Sequence, residues 1–266
     1  MSRKLRIHEI AARGFDLAAD AYETGRPDYP DEVALHFVKV FRLSHNSKVL
    51  DLGAGTGKFT RVLQRILKSS VLALEPVPAM RRMLAQMVPG ADVVAGMAER
   101  IPFRNSSFDA VVIAQAFHWF SSSESLKEIH RVLRTGGGLG LVWNVRDSSL
   151  SWVKELNKVI DRYVRRKKIP RYKGGSWRDQ FSNSNLFSRL LEKKFDFVQK
   201  GTQETMLDRF LSISYIASLE EKQREAFASE IRKILARVSV TSQENHLIEL
   251  PYHADVYWCF KEIASR

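Results

Sequence analysis

The sequence predicts an α/β fold, a doubly wound and mostly parallel sheet that carries a helical insertion. Three observations lead there. Strand-like and helix-like segments alternate from Val49 to Asn144 with short connections. The strand-like segments are continuous apolar runs, as in a parallel sheet covered on both faces. A glycine-rich turn, "GAGTG" from Gly53 to Gly57, separates the first such run from a helical pattern.

Taken in order, "DEVALHFVKVF" (Asp31–Phe41) spaces Val33, Leu35, Phe37, Val38 and Phe41 as a helix opened by Pro30 or Asp31. "SKVLDLG" is the first strand, and Val62, Leu63, Ile66 and Leu67 mark one face of the helix after it. "SVLALEP" is the second strand, "VPAMRRMLAQM" a helix, and "DVVAGMAERIPF" a third strand with its loop. "FDAVVIAQAFHWF" holds the fourth strand. "SESLKEIHRVLRTGGG" reads as a helix ending on a left-handed glycine cap, and "LGLVWN" as the fifth strand. Beyond Asn144, helical patterns cover Leu150–Arg166, Asn185–Lys194, Met206–Leu219 and Glu221–Val238. Strand-like pieces lie at Phe195–Gln203 and Asn245–Glu262, the latter expected as a final hairpin. With no repeat or clear linker, residues 1–266 read as one domain: a flank (1–30), a core (31–145), and late helices with the last strands (146–266).

The chain has 266 residues, 44% hydrophobic and 27% charged, which is ordinary for a globular protein. Its net charge of +12 favours acidic partners, and the densest basic run is Arg162–Lys173. The single cysteine, Cys259, cannot form an internal disulfide and reads as a small buried residue of the last strand. The N-terminus lacks the apolar centre of a signal peptide, and no run of 18 apolar residues occurs, so a cytoplasmic location without a membrane span is expected. No metal site is expected.

A strand, a glycine turn and a helix make a nucleotide-type site, where backbone N–H groups face the ligand and missing Cβ atoms allow close approach. The spacing departs from the dinucleotide fingerprint, because Lys58 stands where its third glycine belongs. The P-loop pattern fails as well, with "GKF" in place of a lysine followed by Ser or Thr. Asp51 ends the first strand and Glu75 the second, where a carboxylate can accept hydrogen bonds from both hydroxyls of a ribose. Acidic residues beside the turn repel a diphosphate and suit a ligand with an ammonium group.

These stretches resemble the class I S-adenosylmethionine-dependent methyltransferases: "VLDLGAGTGKFT" their first motif, "ALEP" their second, "GMAERIPFRNSSFDAVVIAQAFHWF" their adenine loop and fourth strand, and "EIHRVLRTGGGLGLVWN" the following helix and fifth strand. "YETGRPDYP" and "AFHWF" are similar to a small-molecule branch typified by trans-aconitate methyltransferase. The resemblance implies a Rossmann-like, seven-stranded sheet with an antiparallel last strand, and S-adenosylmethionine as cofactor. It implies that Asp51 and the backbone of Gly53, Ala54, Gly55 and Gly57 hold the methionine part, and that Glu75, followed by Pro76, binds the ribose. Ala98 and Glu99 would meet the adenine, and Gln115 and Phe117 the methionine end. Tyr22, Arg26 and Tyr29 resemble a segment that closes over the cofactor.

Displacement at a sulfonium carbon expels a neutral leaving group, so alignment and exclusion of water matter more than acid or base. His118 is the candidate catalytic residue, as a base or as a positioning group. Trp119, Trp143 and Asn144 stand near it at strand ends, and Tyr252 and His253 follow a bend expected at Pro251. With Arg26, which can hold an acidic group, and Tyr29, they are the candidate acceptor residues. The sequence lacks the tetrapeptide of amino-methylating nucleic-acid and glutamine enzymes, and Cys259 is misplaced for cytosine methylation. A small-molecule acceptor, with a carboxylic acid as the candidate, and no specific nucleic-acid binding are therefore expected of a monomer or weak homodimer. The alternatives are an RNA, lipid or protein acceptor met by the basic surface, or a silent cofactor-binding module.

Overall fold

The computed structural model describes residues 19–164, 172, 174–241 and 247–262. A seven-stranded sheet runs in the order β3-β2-β1-β4-β5-β7-β6, with β1 Val49–Leu52, β2 Leu72–Leu74, β3 Asp92–Val94, β4 Phe108–Ala114, β5 Leu133–Arg146, β6 Leu191–Gly201 and β7 Ile248–Phe260. Strands β1 to β5 pair in parallel, and β7 lies antiparallel between β5 and β6. The chain starts mid-sheet, steps out to β3 and returns to β4 beside β1, which opens a crevice at the carboxyl ends of those strands.

Alternation along the strands sorts the core. Val111 and Ile113 face helix α5 (Ser123–Val132), whereas Ala110 and Val112 face α2 (Asp31–Phe41) and α3 (Lys58–Leu67). Helix α4 (Pro78–Met87), opened by its proline, covers β2 and β3. A separate core joins α6 (Ser151–Val164), α8 (Gln203–Leu211) and α10 (Glu221–Thr241) to the start of β7 through Ile248, Leu250 and Tyr252. Short helices α7 (Asp179–Ser182) and α9 (Ser214–Ala217) fill connections, and α1 (Ala19–Gly25) lies across α8.

Several expectations are corrected. The glycines after α5 do not cap it: the helix ends at Val132, and Leu133 is already extended. Residues 134–137 instead loop out of β5, since Phe108 pairs with Leu133 but Ala110 with Gly138. Asn185–Lys194 is not helical. Leu191–Gly201 forms an edge strand paired residue by residue with β7, and its exposed side chains mute the apolar alternation that marks a strand. The pattern over Met206–Leu219 breaks into α8 and α9 at Ser212 and Ile213. Asn245–Glu262 is not a hairpin: Ile248–Phe260 is one strand, and its antiparallel edge partner β6 precedes it in sequence by three helices. Pro251 causes no break in β7: its carbonyl accepts from Asp147 just beyond the end of β5, where the missing N–H costs no ladder bond. Of the basic run Arg162–Lys173, residues 165–171 and 173 lie outside the described residues, and Arg162 pairs with Glu230. Cys259 is wholly buried, and burial pushes its thiol pKa up.

Close helix–strand contact explains the glycines within β5. A Cβ on Gly138 would fall 2.1 Å from the Phe41 ring, and one on Gly140 would fall 2.7 Å from that of Phe37. The two rings stack 5.5 Å apart against the bare strand. Gly140→Val should therefore overpack this layer, costing about 1–3 kcal/mol and several degrees of Tm in a thermal melt. An unchanged Tm would show that α2 does not press on β5.

Candidate active site

Three strand tips meet where the chain reverses between β1 and β4. Past β1, Gly53, Gly55 and Gly57 take φ of 73°, 60° and 87°, left-handed values that permit the tight turn into α3. A side chain on Gly53 would also strike Ala116 at 2.9 Å, so the glycine lets the turn approach the β4 tip.

Glu75 fixes this turn. Its Oε2 accepts the Gly55 N–H at 2.9 Å and its Oε1 the Val77 N–H at 2.9 Å, binding the glycine turn to the entry of α4. Burial raises its pKa against those two bonds. Each oxygen keeps a second lone pair for ligand hydroxyls. Asp51 lies deeper, at 0% exposure. Its Oδ2 accepts from the Thr60 hydroxyl at 2.7 Å, and its Oδ1 has no partner. Burial lifts its carboxyl to about 7; the Thr60 bond opposes the shift and the Glu75 charge adds to it. An orphaned buried carboxylate oxygen under the glycine turn fits a ligand that brings a cation.

Of the residues expected at the cofactor, Tyr22, Gly53, Gly55, Glu75, Pro76, Ala98, Glu99 and Gln115 line a cleft over these tips. Trp119, expected at the acceptor, lines it as well. Asp51, Ala54 and Gly57 are not among its lining residues. Phe117 is no cleft residue: it is fully buried and packs on Phe120, Trp177 and Phe181. Gln115 adopts φ 57° at the end of β4, where its amide donates to the Asn144 carbonyl at 3.0 Å; such strain clusters at functional sites. Met80, Met97 and Phe120 complete the apolar wall. Phe120 and Met97 adjoin residues the motifs marked, whereas Met80 has no signal beyond its helical face.

The acceptor candidates divide. Tyr29 is core, edge-on to Phe59 at 4.9 Å. Trp143 is buried and stacks on Tyr172 at 4.7 Å. Asn144 donates to the Asp28 carbonyl at 3.3 Å. Tyr252 is buried, and its hydroxyl accepts from Arg209 at 2.8 Å. His253 stands 3.5 Å from Asp255 on the far strand. Arg26 does not line the cleft; it donates to the hydroxyl and carbonyl of Ser212, and its guanidinium lies 5.0 Å from the centre of the Tyr22 ring.

His118 borders a second depression that shares Glu99, Trp119 and Phe120 with the cleft. Its Nδ1 accepts the indole N–H of Trp143 at 3.2 Å. The neutral ring therefore carries its proton on Nε2 and presents a donor. Burial, with the charge of Arg26, holds its pKa down at about 3.

The lysine that broke the dinucleotide spacing has a structural role. Lys58 reaches Asp28 at 3.1 Å and Glu23 at 3.7 Å, and Arg61 meets the same two carboxylates at 3.1 and 3.0 Å. These pairs tie the N-terminal segment over the glycine turn. Among the described residues no cluster of His, Cys, Asp and Glu is placed to hold a metal, and no helix is long and apolar enough to cross a membrane.

Asp51 gives a pH signature. With its folded pKa raised to about 7, the folded chain holds a proton there that the unfolded chain releases near pH 4. Stability present below that lower value is lost as pH rises to about 7, by roughly 3–4 kcal/mol. Asp51→Asn should flatten this part of the denaturation profile, and an unchanged slope would place the titration elsewhere.

Residues 50–141 match the model of a methyltransferase domain. An uncharacterised methyltransferase-like protein of Schizosaccharomyces pombe is 35% identical over 260 residues, covering 97% of this chain and 99% of that one. An uncharacterised methyltransferase of Mycobacterium tuberculosis is 36% identical over 239 residues, covering 90% and 91%. The malonyl-[acyl-carrier protein] O-methyltransferase of Methylococcus capsulatus is 34% identical over 123 residues, 44% of each chain. Among solved structures, a phosphoethanolamine N-methyltransferase of Haemonchus contortus, in complex with S-adenosylhomocysteine, shares the fold with a TM-score of 0.56 at 15% identity, covering 99% of this chain and 62% of that one. The carboxylates at the first two strand tips, the glycine turn between them and full-length relatives at this identity place the chain among the class I S-adenosylmethionine-dependent methyltransferases.

Proposed function

We propose that the chain methylates a carboxylate oxygen of a small acid. The observation behind this reading is the state of His118. Its Nδ1 is occupied by Trp143, and burial with the charge of Arg26 holds its pKa at about 3. A ring in that state cannot take a proton near pH 7 but can donate one hydrogen bond. The site then favours a nucleophile that arrives ionised, and Arg26 favours one that is anionic. Bound in the cleft, S-adenosylmethionine supplies an electrophilic methyl group on a sulfonium. Glu75 would hold the ribose through its free lone pairs, Glu99 the adenine edge, and Asp51 the cationic end beneath the glycine turn. His118 would orient the acceptor through Nε2–H, while Trp119 and Phe120 exclude water. The partial similarity to an O-methyltransferase whose name specifies an acyl acceptor points the same way.

The chemistry of the product tests this reading. A methyl ester releases its methyl group as volatile methanol on mild base, whereas N-, S- and C-methyl groups stay bound. Metabolite extract incubated with the protein and methyl-labelled S-adenosylmethionine should yield base-labile, volatile label. Base-stable label, or label confined to RNA, lipid or protein, would reject the proposal. On the acceptor so found, His118→Gln should keep turnover within about tenfold and leave the pH profile without a limb near neutrality. A loss of 10²–10⁴-fold would make His118 a base after all.

A further inference from the structure

Three mutually coupled arginines make hydrogen bonds that, among the described residues, include no carboxylate, and the charge of one of them, Arg26, acts on His118. Arg26, at the end of α1, donates to Ser212. Arg146, at the end of β5, donates to Asn157 at 2.9 Å and shares the Tyr252 hydroxyl with Arg209. Arg209, on α8, is 2% exposed, and its buried Nη1 has no partner. The guanidiniums of Arg146 and Arg209 stand 5.7 and 5.8 Å from the centre of the same Phe210 ring. A further link runs through Ser212, whose hydroxyl receives Arg26 and donates to the Arg209 carbonyl at 2.9 Å. None of the three forms a salt bridge among the described residues.

Like charges with no counter-charge repel one another and are costly to keep where they are wholly or partly buried, as Arg209 and its two half-buried neighbours are. The cost is visible here: burial and the neighbouring guanidiniums lower the pKa of Arg26 to about 10, and burial with the charge of Arg209 also lowers that of Arg146. Lys58, the other buried cation among the described residues, is paired with Asp28. The three arginines sit where β5, α1 and α8 come together.

We infer that Arg146 and Arg209, with the Tyr252 hydroxyl, form a subsite for a second anionic group of the acceptor, while Arg26 holds the carboxylate next to His118. The acceptor class is then a dianion: a dicarboxylate, or a carboxylate that also bears a phosphate. This rests on the reading of the acceptor as an acid, but binding at the subsite is measured without cofactor or turnover.

Thermal melts at constant ionic strength test it, with glutarate, adipate, 3-phosphonopropionate and butyrate as probes. The dianions should raise Tm at millimolar concentration and butyrate should not; the ranking of the carboxylate and phosphonate probes tells which second group is preferred. Arg146→Gln should weaken dianion binding at least tenfold and abolish the preference over butyrate, and Arg146→Lys should restore part of it. Arg146 is chosen because it is only partly buried, whereas replacing Arg209 endangers the fold. Equal shifts for butyrate and the dianions, or full dianion selectivity in Arg146→Gln, would overturn the subsite. Dianion binding without base-labile product would leave the subsite standing and reject ester formation.

Discussion

The site depends on buried charges that the backbone keeps apart. Asp51 and Glu75 stand at the tips of β1 and β2, held by Thr60 and by the N–H groups of Gly55 and Val77. Arg26, Arg146 and Arg209 stand on α1, β5 and α8, held by neutral groups of Ser212, Asn157 and Tyr252. In a low-dielectric interior these opposite charges would gain by pairing, yet the hydrogen bonds that hold each set run to neutral partners. Such an arrangement sacrifices stability, and ligands complete it. On the proposed reading, S-adenosylmethionine would bring positive charge to the acidic side, and an acid as acceptor would bring negative charge to the basic side. The reacting atoms would meet between them, near Trp119 and His118.

Other features serve this separation. The ion pairs of Lys58 and Arg61 with Glu23 and Asp28 hold the N-terminal segment so that Tyr22 reaches the cleft while Arg26 points to α8. Gln199 adds a bond to the Gly25 carbonyl at 2.8 Å, and a side chain on Gly25 would collide with the Arg209 backbone at 2.4 Å. The stack of Trp143 on Tyr172 and Trp177 fixes the indole that sets the His118 tautomer. A core of aromatic rings thus determines which ring nitrogen of His118 is left to donate a hydrogen bond.

Much of the fold was legible from Val49 to Asn144, because buried parallel strands and amphipathic helices repeat with clear periods and glycines mark the turn. Part of the cleft lining was legible for the same reason: Glu75 and Gln115 stand at the ends of strands that the pattern locates. Beyond Asn144 the signal weakens. Strand β6 is an edge with one neighbour, so its lysines and glutamate obscure the alternation. Phe117, Trp143 and Tyr252 are aromatic residues near strand ends, and sequence alone does not tell a pocket wall from a core ring. Arg146 and Arg209 resemble any other surface cation in a basic chain until burial shows otherwise. His118 was visible, but its tautomer depends on Trp143, a contact between strand ends that no local pattern encodes.

The division of charge is most directly tested by counting protons. S-adenosylhomocysteine keeps the ammonium group of the cofactor, and Asp51 is about half protonated at pH 7 in the free protein. Calorimetric titration of that ligand at pH 7, in two buffers of different ionisation enthalpy, should show release of about half a proton by the wild type and none by Asp51→Asn. Binding without proton release, or equal release by both proteins, would contradict an acidic half held in reserve for a cation.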